Sequence, residues 1–129
     1  MNIPFSPPDI TEEEIEAVAE VMRSGWITTG PKTKELERKM AEFTHTNRGV
    51  CLNSATSCME MALRLFEIGP GDEVIVPAYT YTASASVVCH VGATLRLVDV
   101  EKGTFHIDYA AVESMINENT KAIIPVDLG

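Results

Sequence analysis

The spacing of apolar residues predicts two amphipathic helices at the start of the chain. Thr11 and Glu14 occupy the two positions of a capping box, in which a hydroxyl and a carboxylate satisfy free backbone N–H groups. Ser24 and Gly25 are expected to end the first helix, and Pro31 begins a second one. The expected buried stripe of the first helix is Ile15, Val18 and Met22, and the apolar positions of the second are Leu36, Met40 and Phe43.

Beyond Arg48 the pattern changes to short β-rich runs that alternate with helical stretches. Helical crossovers force neighbouring strands to run parallel, so the sequence predicts an α/β fold in which helices flank a mostly parallel sheet. The expected strands are 49–52, 73–76, 94–98 and 122–126, and the expected helices are 55–66, 82–91 and 109–116. We therefore expect an N-terminal helical segment at 1–47 and an α/β domain at 48–129.

The last predicted strand ends close to Gly129, with no helix after it. In open parallel sheets the ligand crevice lies beyond the carboxyl ends of the strands. The chain thus stops where a further active-site loop would begin, and we expect it to be the N-terminal part of a longer protein. A small complete α/β domain is the alternative, since 129 residues is an ordinary domain size.

The charge balance excludes several classes of partner. The chain has 10 Lys and Arg against 19 Asp and Glu, a net charge of −9 that repels polyphosphates and anionic lipid. We expect neither nucleic acid nor membrane as a partner. The sequence shows no signal peptide and no run of ~20 apolar residues, so we expect a cytoplasmic protein. We also expect no metal ion, and buried reduced thiols at Cys51, Cys58 and Cys89.

Small polar residues at 53–57 lie between a predicted strand and a predicted helix. Free backbone N–H groups, short side chains and the helix dipole together describe a phosphate cradle. The same serines and threonines are also ordinary N-caps. The local sequence fits both interpretations.

The next two predicted strands end in residues that could face a ligand. Tyr79 and Tyr81 follow the strand at 73–76, and an aromatic ring there could stack on a flat ligand, although at least one of the two is expected to pack instead. Asp99 follows the strand at 94–98 and is expected to cap the next loop. The chain contains no Gly-x-Ser-x-Gly elbow, and the turn after Leu52 contains no glycine, so hydrolysis and NAD binding are disfavoured.

Four segments taken together resemble a known family. They are 24–32 (SGWITTGPK), 53–56 (NSAT), 69–77 (GPGDEVIVP) and 121–126 (KAIIPV). The chain from about residue 3 to residue 126 resembles the N-terminal part of pyridoxal-phosphate (PLP) sugar aminotransferases of the DegT/DnrJ/StrS family. The resemblance implies part of a fold type I large domain.

The resemblance also implies a role for particular residues. Ala55 and Thr56 match the positions that hold the phosphate of PLP, and Tyr81 matches the aromatic residue that stacks on the pyridine ring. Tyr79 aligns with a position that packs. Thr28, Thr29 and Gly30 match a loop that lies near the active site and binds the sugar substrate.

The implied reaction transfers an amino group from an amino acid to a keto sugar linked to a nucleotide, in amino-sugar or polysaccharide biosynthesis, by a homodimer when the protein is full length. In the family, the Schiff-base lysine and the aspartate that pairs with the pyridine nitrogen follow the strand that ends this chain. The resemblance therefore implies that the chain holds no catalytic residue and is inactive alone. Alternatives are a PLP-dependent sugar dehydratase of the same fold, a non-catalytic regulatory protein, and an unrelated anion-binding domain.

Overall fold

The chain divides into two compact units, Met1–Cys51 and Leu52–Gly129. The computed structural model describes residues 6–127. The first unit contains α1 (Glu12–Arg23) and α2 (Pro31–Phe43). The second contains α3 (Ala55–Leu65), β1 (Glu73–Pro77), α4 (Thr82–His90), β2 (Thr94–Val98), α5 (Tyr109–Met115) and β3 (Thr120–Ile123). None of the helices between residues 6 and 127 combines the length and the apolar content that a bilayer crossing requires.

Helix α1 begins and ends where the sequence predicts. Thr11 is its N-cap, with the capping box formed in full by Glu14, and Ser24 is its C-cap. The predicted burial of its apolar stripe is wrong, because Ile15, Val18 and Met22 are all exposed. Periodicity identifies the residues that share a helix face, but burial also needs an element packed against that face, and no described element covers this one. The apolar residues of α2, which are Leu36, Met40 and Phe43, are likewise exposed.

The predicted strand at 49–52 does not form. A strand needs a neighbour for its backbone N–H and C=O groups. Here the N–H of Cys51 instead donates to Oε1 of Glu37 at 2.9 Å, within the first unit. The predicted order of alternating strands and helices therefore begins one strand later than expected, at β1.

The three strands form a parallel sheet in the order β2-β1-β3, which confirms the predicted α/β class. Strand β2 covers the predicted residues, whereas β3 begins at Thr120 and ends at Ile123. The position of β3 is set by its pairing with the five-residue β1. In this pair Glu73 lies opposite Thr120 and Ile75 lies opposite Ile123.

Strand β1 is covered on both faces. Val74 and Val76 pack in one apolar cluster with residues of α3 and α4, among them Leu63 and Val87. Ile75 points to the opposite face and packs with Val98, Ile107 and Val112, the last of these on α5. Helices α3 and α4 therefore lie on one face of the sheet and α5 on the other, as parallel sheets require.

The predicted burial of the cysteines is also wrong. Cys51 is half-buried, and Cys58 and Cys89 are exposed, all three as free thiols. Cys58 lies on α3 and Cys89 on α4, on helix surfaces that turn away from the cluster around Val74. An apolar neighbourhood in the sequence does not place a helical residue on the buried side of its helix.

Glu67 ends α3 in a left-handed conformation. Its φ is 57°, and the N–H of Ile68 donates to the carbonyl of Leu63 at 3.0 Å, the hydrogen bond of a Schellman motif. Glycine is the usual residue at this position, because a Cβ atom is strained there. The left-handed conformation of the exposed Glu67 therefore lowers the stability of the fold.

We predict that Glu67→Gly raises the free energy of unfolding by about 1 kcal/mol, because it removes the Cβ strain and a negative charge from the negative end of a helix dipole. Urea unfolding followed by circular dichroism measures the change. Glu67→Ala is the matched control, since it removes the same carboxylate and keeps the Cβ. Equal unfolding midpoints for the two variants would show that backbone strain at residue 67 is not the cause.

Candidate functional site

The N-terminus of α3 is capped by Ser54. Its backbone is extended, and its Oγ accepts a hydrogen bond from the N–H of Ser57 at 3.1 Å. The hydroxyl of Ser57 donates in turn to Oδ1 of Asn53 at 2.7 Å. This network satisfies the third N–H group of the helix and holds the chain rigidly where it enters α3.

Two backbone donors precede the one that the cap satisfies. Within residues 6–127, the N–H groups of Ala55 and Thr56 have no acceptor, and the hydroxyl of Thr56 has no hydrogen-bond partner. Ala55 is exposed and Thr56 half-buried, so a ligand can reach both. Two adjacent N–H groups and a hydroxyl at the positive end of a helix form an arrangement that can bind an anion such as phosphate. The serine cap and two free backbone donors are thus both present at one helix end.

Helices α3 and α4 begin at the same end of the sheet. A short connection joins the end of α3 to the start of β1, and residues 78–81 join the end of β1 to α4. Both helices pack on the Val74 face and run antiparallel to β1, so both N-termini lie toward its carboxyl end. In open parallel sheets this end carries the ligand crevice.

Tyr81 is the N-cap residue of α4, and its side chain is 82% exposed. Tyr79 differs, because its ring stacks on Phe105 with centroids 4.6 Å apart. Of the two tyrosines, Tyr81 therefore presents a free ring face and Tyr79 makes an intramolecular contact. Asp99 caps its own loop, since its Oδ1 accepts from the N–H of Val100 at 2.8 Å.

Glu60 connects α3 to α4. Its Oε1 accepts from Nη2 of Arg64 at 2.7 Å, and its Oε2 lies 2.9 Å from Nδ1 of His90. The hydrogen bonds from Arg64 first and His90 second hold the pKa of Glu60 below its usual 4.5. Ionised Glu60 is thus favoured in the folded chain, where it links the two helices.

The residues predicted to bind substrate, Thr28, Thr29 and Gly30, belong to the first unit. Thr28 and Gly30 line a cleft of about 470 Å³ at the start of α2, together with Trp26 and Lys32. The indole Nε1 of Trp26 donates to the carbonyl of Thr29 at 3.0 Å. A Cβ on the buried Gly30 would overlap the indole ring, so the residue must be glycine for Trp26 to close the loop. Sequence reasoning did not single out Trp26, because it lies in a loop without periodicity.

The described residues offer no metal centre. Between residues 6 and 127, no three side chains of His, Cys, Asp or Glu come together in a group able to hold a metal ion. The chemistry that these residues support is anion binding and ring stacking in the second unit, and contact with a partly apolar ligand in the cleft of the first.

We predict that Gly30→Ala displaces Trp26 and costs the first unit about 1–3 kcal/mol in stability, the usual effect of forcing an extra methyl into a packed site. The chain contains a single tryptophan, so its fluorescence reports on this loop alone, and its emission should move to longer wavelength. Thr29→Ala keeps the carbonyl that accepts from the indole and should leave the emission unchanged. Unchanged emission in Gly30→Ala would show that the loop tolerates a side chain here.

We predict that Glu60 contributes stability that is fully present above pH 4.5 and is lost as the pH falls through its lowered folded-state pKa. The unfolded chain binds a proton at Glu60 more readily than the folded one, so acid favours unfolding at this site. Glu60→Gln should therefore lose less stability on acidification than the parent chain, measured by urea unfolding at a series of pH values. Equal pH dependence of stability in Glu60→Gln and in the parent chain would contradict the assignment.

The similarity of the chain to known proteins covers nearly its whole length. The model of the DegT/DnrJ/EryC1/StrS aminotransferase family matches residues 8–129. The UDP-4-amino-4-deoxy-L-arabinose–oxoglutarate aminotransferase of Shewanella sediminis is 45% identical over 124 residues, which are 96% of this chain and 32% of that protein.

Solved structures give the same result. A Streptococcus pneumoniae protein named as a sugar aminotransferase was solved in apo, PMP and PLP forms. It is 63% identical to this chain and superposes with a TM-score of 0.88. The match covers 97% of this chain and 31% of the apo-form chain. The E. coli GDP-4-keto-6-deoxy-D-mannose-3-dehydratase, with a TM-score of 0.87 over 98% of this chain and 34% of that one, is only 24% identical and shows the fold alone. The chain thus spans about a third of the length of these relatives.

The family match includes both units and every predicted site residue. The solved relatives confirm a fold type I architecture, and the family uses PLP as its cofactor. This chain belongs to the DegT/DnrJ/EryC1/StrS aminotransferase family.

Proposed function

We propose that this chain forms the cofactor-phosphate part of a PLP-dependent transaminase that acts on a nucleotide-linked keto sugar with an amino-acid donor. The observation that carries the proposal is the pair of N–H groups of Ala55 and Thr56, which have no acceptor within residues 6–127 and begin a helix at the carboxyl end of the sheet. The S. pneumoniae relative was solved in PLP and PMP forms, and the name of the S. sediminis relative contains a UDP-linked amino sugar and oxoglutarate.

The residues fit the two halves of the cofactor. A phosphate dianion needs several donors and a positive field, which the N–H groups of Ala55 and Thr56, the Thr56 hydroxyl and the dipole of α3 supply together. A pyridine ring needs an apolar face, which the exposed ring of Tyr81 offers. When bound, PLP supplies the electron sink that amino-group transfer requires.

The residues of this chain bind and orient in this proposal. Ala55 and Thr56 hold the phosphate, and Tyr81 covers one ring face and excludes water from it. In the first unit, Thr28 and Thr29 are proposed to bind the sugar substrate through hydroxyl and backbone groups, and Gly30 allows the loop to close on Trp26. The cleft at the start of α2 supports this assignment, because it presents polar groups beside apolar surface.

We further propose that the chain alone does not catalyse the transfer. The reaction requires a lysine amine that is free to react and to move a proton at the substrate carbon. The five lysines of this chain lie on α2, between β2 and α5, and in β3, and none lies at the start of α3 or α4. In the full-length enzyme, proposed to be a cytoplasmic homodimer, residues outside this chain would supply the lysine.

We predict that Ala55→Pro weakens the binding of pyridoxamine 5′-phosphate by about tenfold to a hundredfold, because one hydrogen bond to a charged oxygen is lost. Proline removes the N–H of residue 55 and is tolerated at the first position of a helix, and the extended backbone of Ser54 accepts a following proline. Isothermal titration calorimetry measures the affinity.

Tyr109→Pro is the matched control, since it removes the N–H at the first position of α5 and should leave the affinity unchanged. Pyridoxamine, which lacks the phosphate, should bind to none of these chains. The proposal fails if the parent chain does not bind pyridoxamine 5′-phosphate, or if Ala55→Pro binds it as tightly as the parent.

A further inference from the structure

The stacked pair Tyr79 and Phe105 joins two loops at the carboxyl end of the sheet. Tyr79 lies in the segment from β1 to α4, and Phe105 lies in the loop from β2 to α5. Their ring centroids are 4.6 Å apart and their planes are inclined by 25°, an offset-stacking geometry. Neither ring belongs to the phosphate cradle or to the ring face that Tyr81 offers.

The loop that carries Phe105 has a defined structure of its own. Val100 and Ile107 form an antiparallel bridge, and the N–H of Glu101 donates to the carbonyl of His106 at 2.9 Å. Ile107 is buried and packs with Ile75 of the central strand. The backbone on both sides of Phe105 is therefore tied to the sheet, and its ring is 61% exposed and stacks on Tyr79.

The segment that carries Tyr81 is held mainly by its neighbours. The N–H of Ala78 donates to the carbonyl of Val98 at 2.7 Å, and the hydroxyls of Thr80 and Ser84 lie 2.8 Å apart. Tyr79 is anchored through its ring on Phe105. The side chain of Tyr81 is largely exposed and has no hydrogen-bond partner among the described residues, so its direction depends on the backbone that these contacts fix.

We propose that Phe105 is a positioning residue for the cofactor ring. It supports Tyr79, and Tyr79 fixes the backbone from which Tyr81 projects two residues later. The proposal rests on the proposed function, in which Tyr81 stacks on the pyridine ring. It adds a residue from a different loop, which touches neither phosphate nor ring and affects binding only through Tyr79.

The test compares Phe105→Ala, Phe105→Leu and the control Tyr109→Ala, which removes an exposed aromatic ring at the start of α5. Two readouts are measured on the full chain. Backbone amide heteronuclear NOEs report the order of residues 79–81 without any ligand. Titrations with pyridoxamine 5′-phosphate and with inorganic phosphate separate ring binding from phosphate binding.

Phe105→Ala should lower the NOEs of residues 79–81 and leave those of α3 unchanged. It should weaken the binding of pyridoxamine 5′-phosphate about threefold to tenfold and leave the affinity for inorganic phosphate unchanged. Phe105→Leu should restore most of both losses, because leucine can still pack on the Tyr79 ring. Tyr109→Ala should match the parent chain.

Unchanged NOEs at residues 79–81 in Phe105→Ala overturn the proposal. Equal losses of affinity for the two ligands, or lower NOEs throughout the second unit, also overturn it, because either result indicates a general structural role of Phe105. If the parent chain fails to bind pyridoxamine 5′-phosphate, the proposed function fails. The NOE comparison then decides separately whether Phe105 orders the Tyr81 segment.

Discussion

The burial of β1 on both faces is the constraint on which the second unit depends. Val74, Ile75 and Val76 are completely inaccessible to solvent, and successive side chains of a strand point to opposite faces. Helices must therefore cover both sides of the sheet, with α3 and α4 against the two valines and α5 against Ile75. Because α3 and α4 flank the same strand in sequence and pack on the same face, their N-termini must lie toward its carboxyl end.

The two ends of the sheet differ in how fully their polar groups are satisfied. At the amino end, the carboxylate of Glu73 accepts from Nη1 of Arg96 at 3.1 Å and from Nδ2 of Asn117 at 2.8 Å, which connects β1 to β2 and to the segment between α5 and β3. At the carboxyl end, Ala55 and Thr56 present N–H groups without an acceptor in the described part of the chain. The amino end is thus stabilised internally, whereas the carboxyl end keeps two backbone donors free among the described residues.

Local patterns in the sequence account for the elements whose causes are local. The capping box at Thr11 and the start of α3 at Ala55 follow from residues within one turn of each other. The prediction of a strand at 49–52 was wrong because a strand needs a partner strand. The predicted burial of Val18 was wrong because an apolar helix face is buried only when another element packs against it.

The same limit explains which parts of the candidate site could be found. The phosphate site at Ala55 and Thr56 was predicted from residues contiguous in sequence, and the resemblance assigned the ring contact to Tyr81. The stack between Tyr79 and Phe105 joins residues on separate loops, and no spacing rule connects them. The contact of Trp26 with Gly30 spans a loop without periodicity, so the resemblance gave a role to the glycine but none to the ring that requires it.

The cap and the cradle at α3 are complementary, although the sequence alone fits either. A helix begins with several N–H groups that lack intrahelical partners, and Ser54 satisfies the one at Ser57. That hydrogen bond fixes the first turn, so the N–H groups of Ala55 and Thr56 acquire a set direction before any ligand arrives. In the proposed function, an anion would meet preorganised donors and would not have to order the chain itself, which lowers the entropic cost of binding. In the proposed function, the serine cap therefore favours anion binding at two residues with which it shares no hydrogen bond.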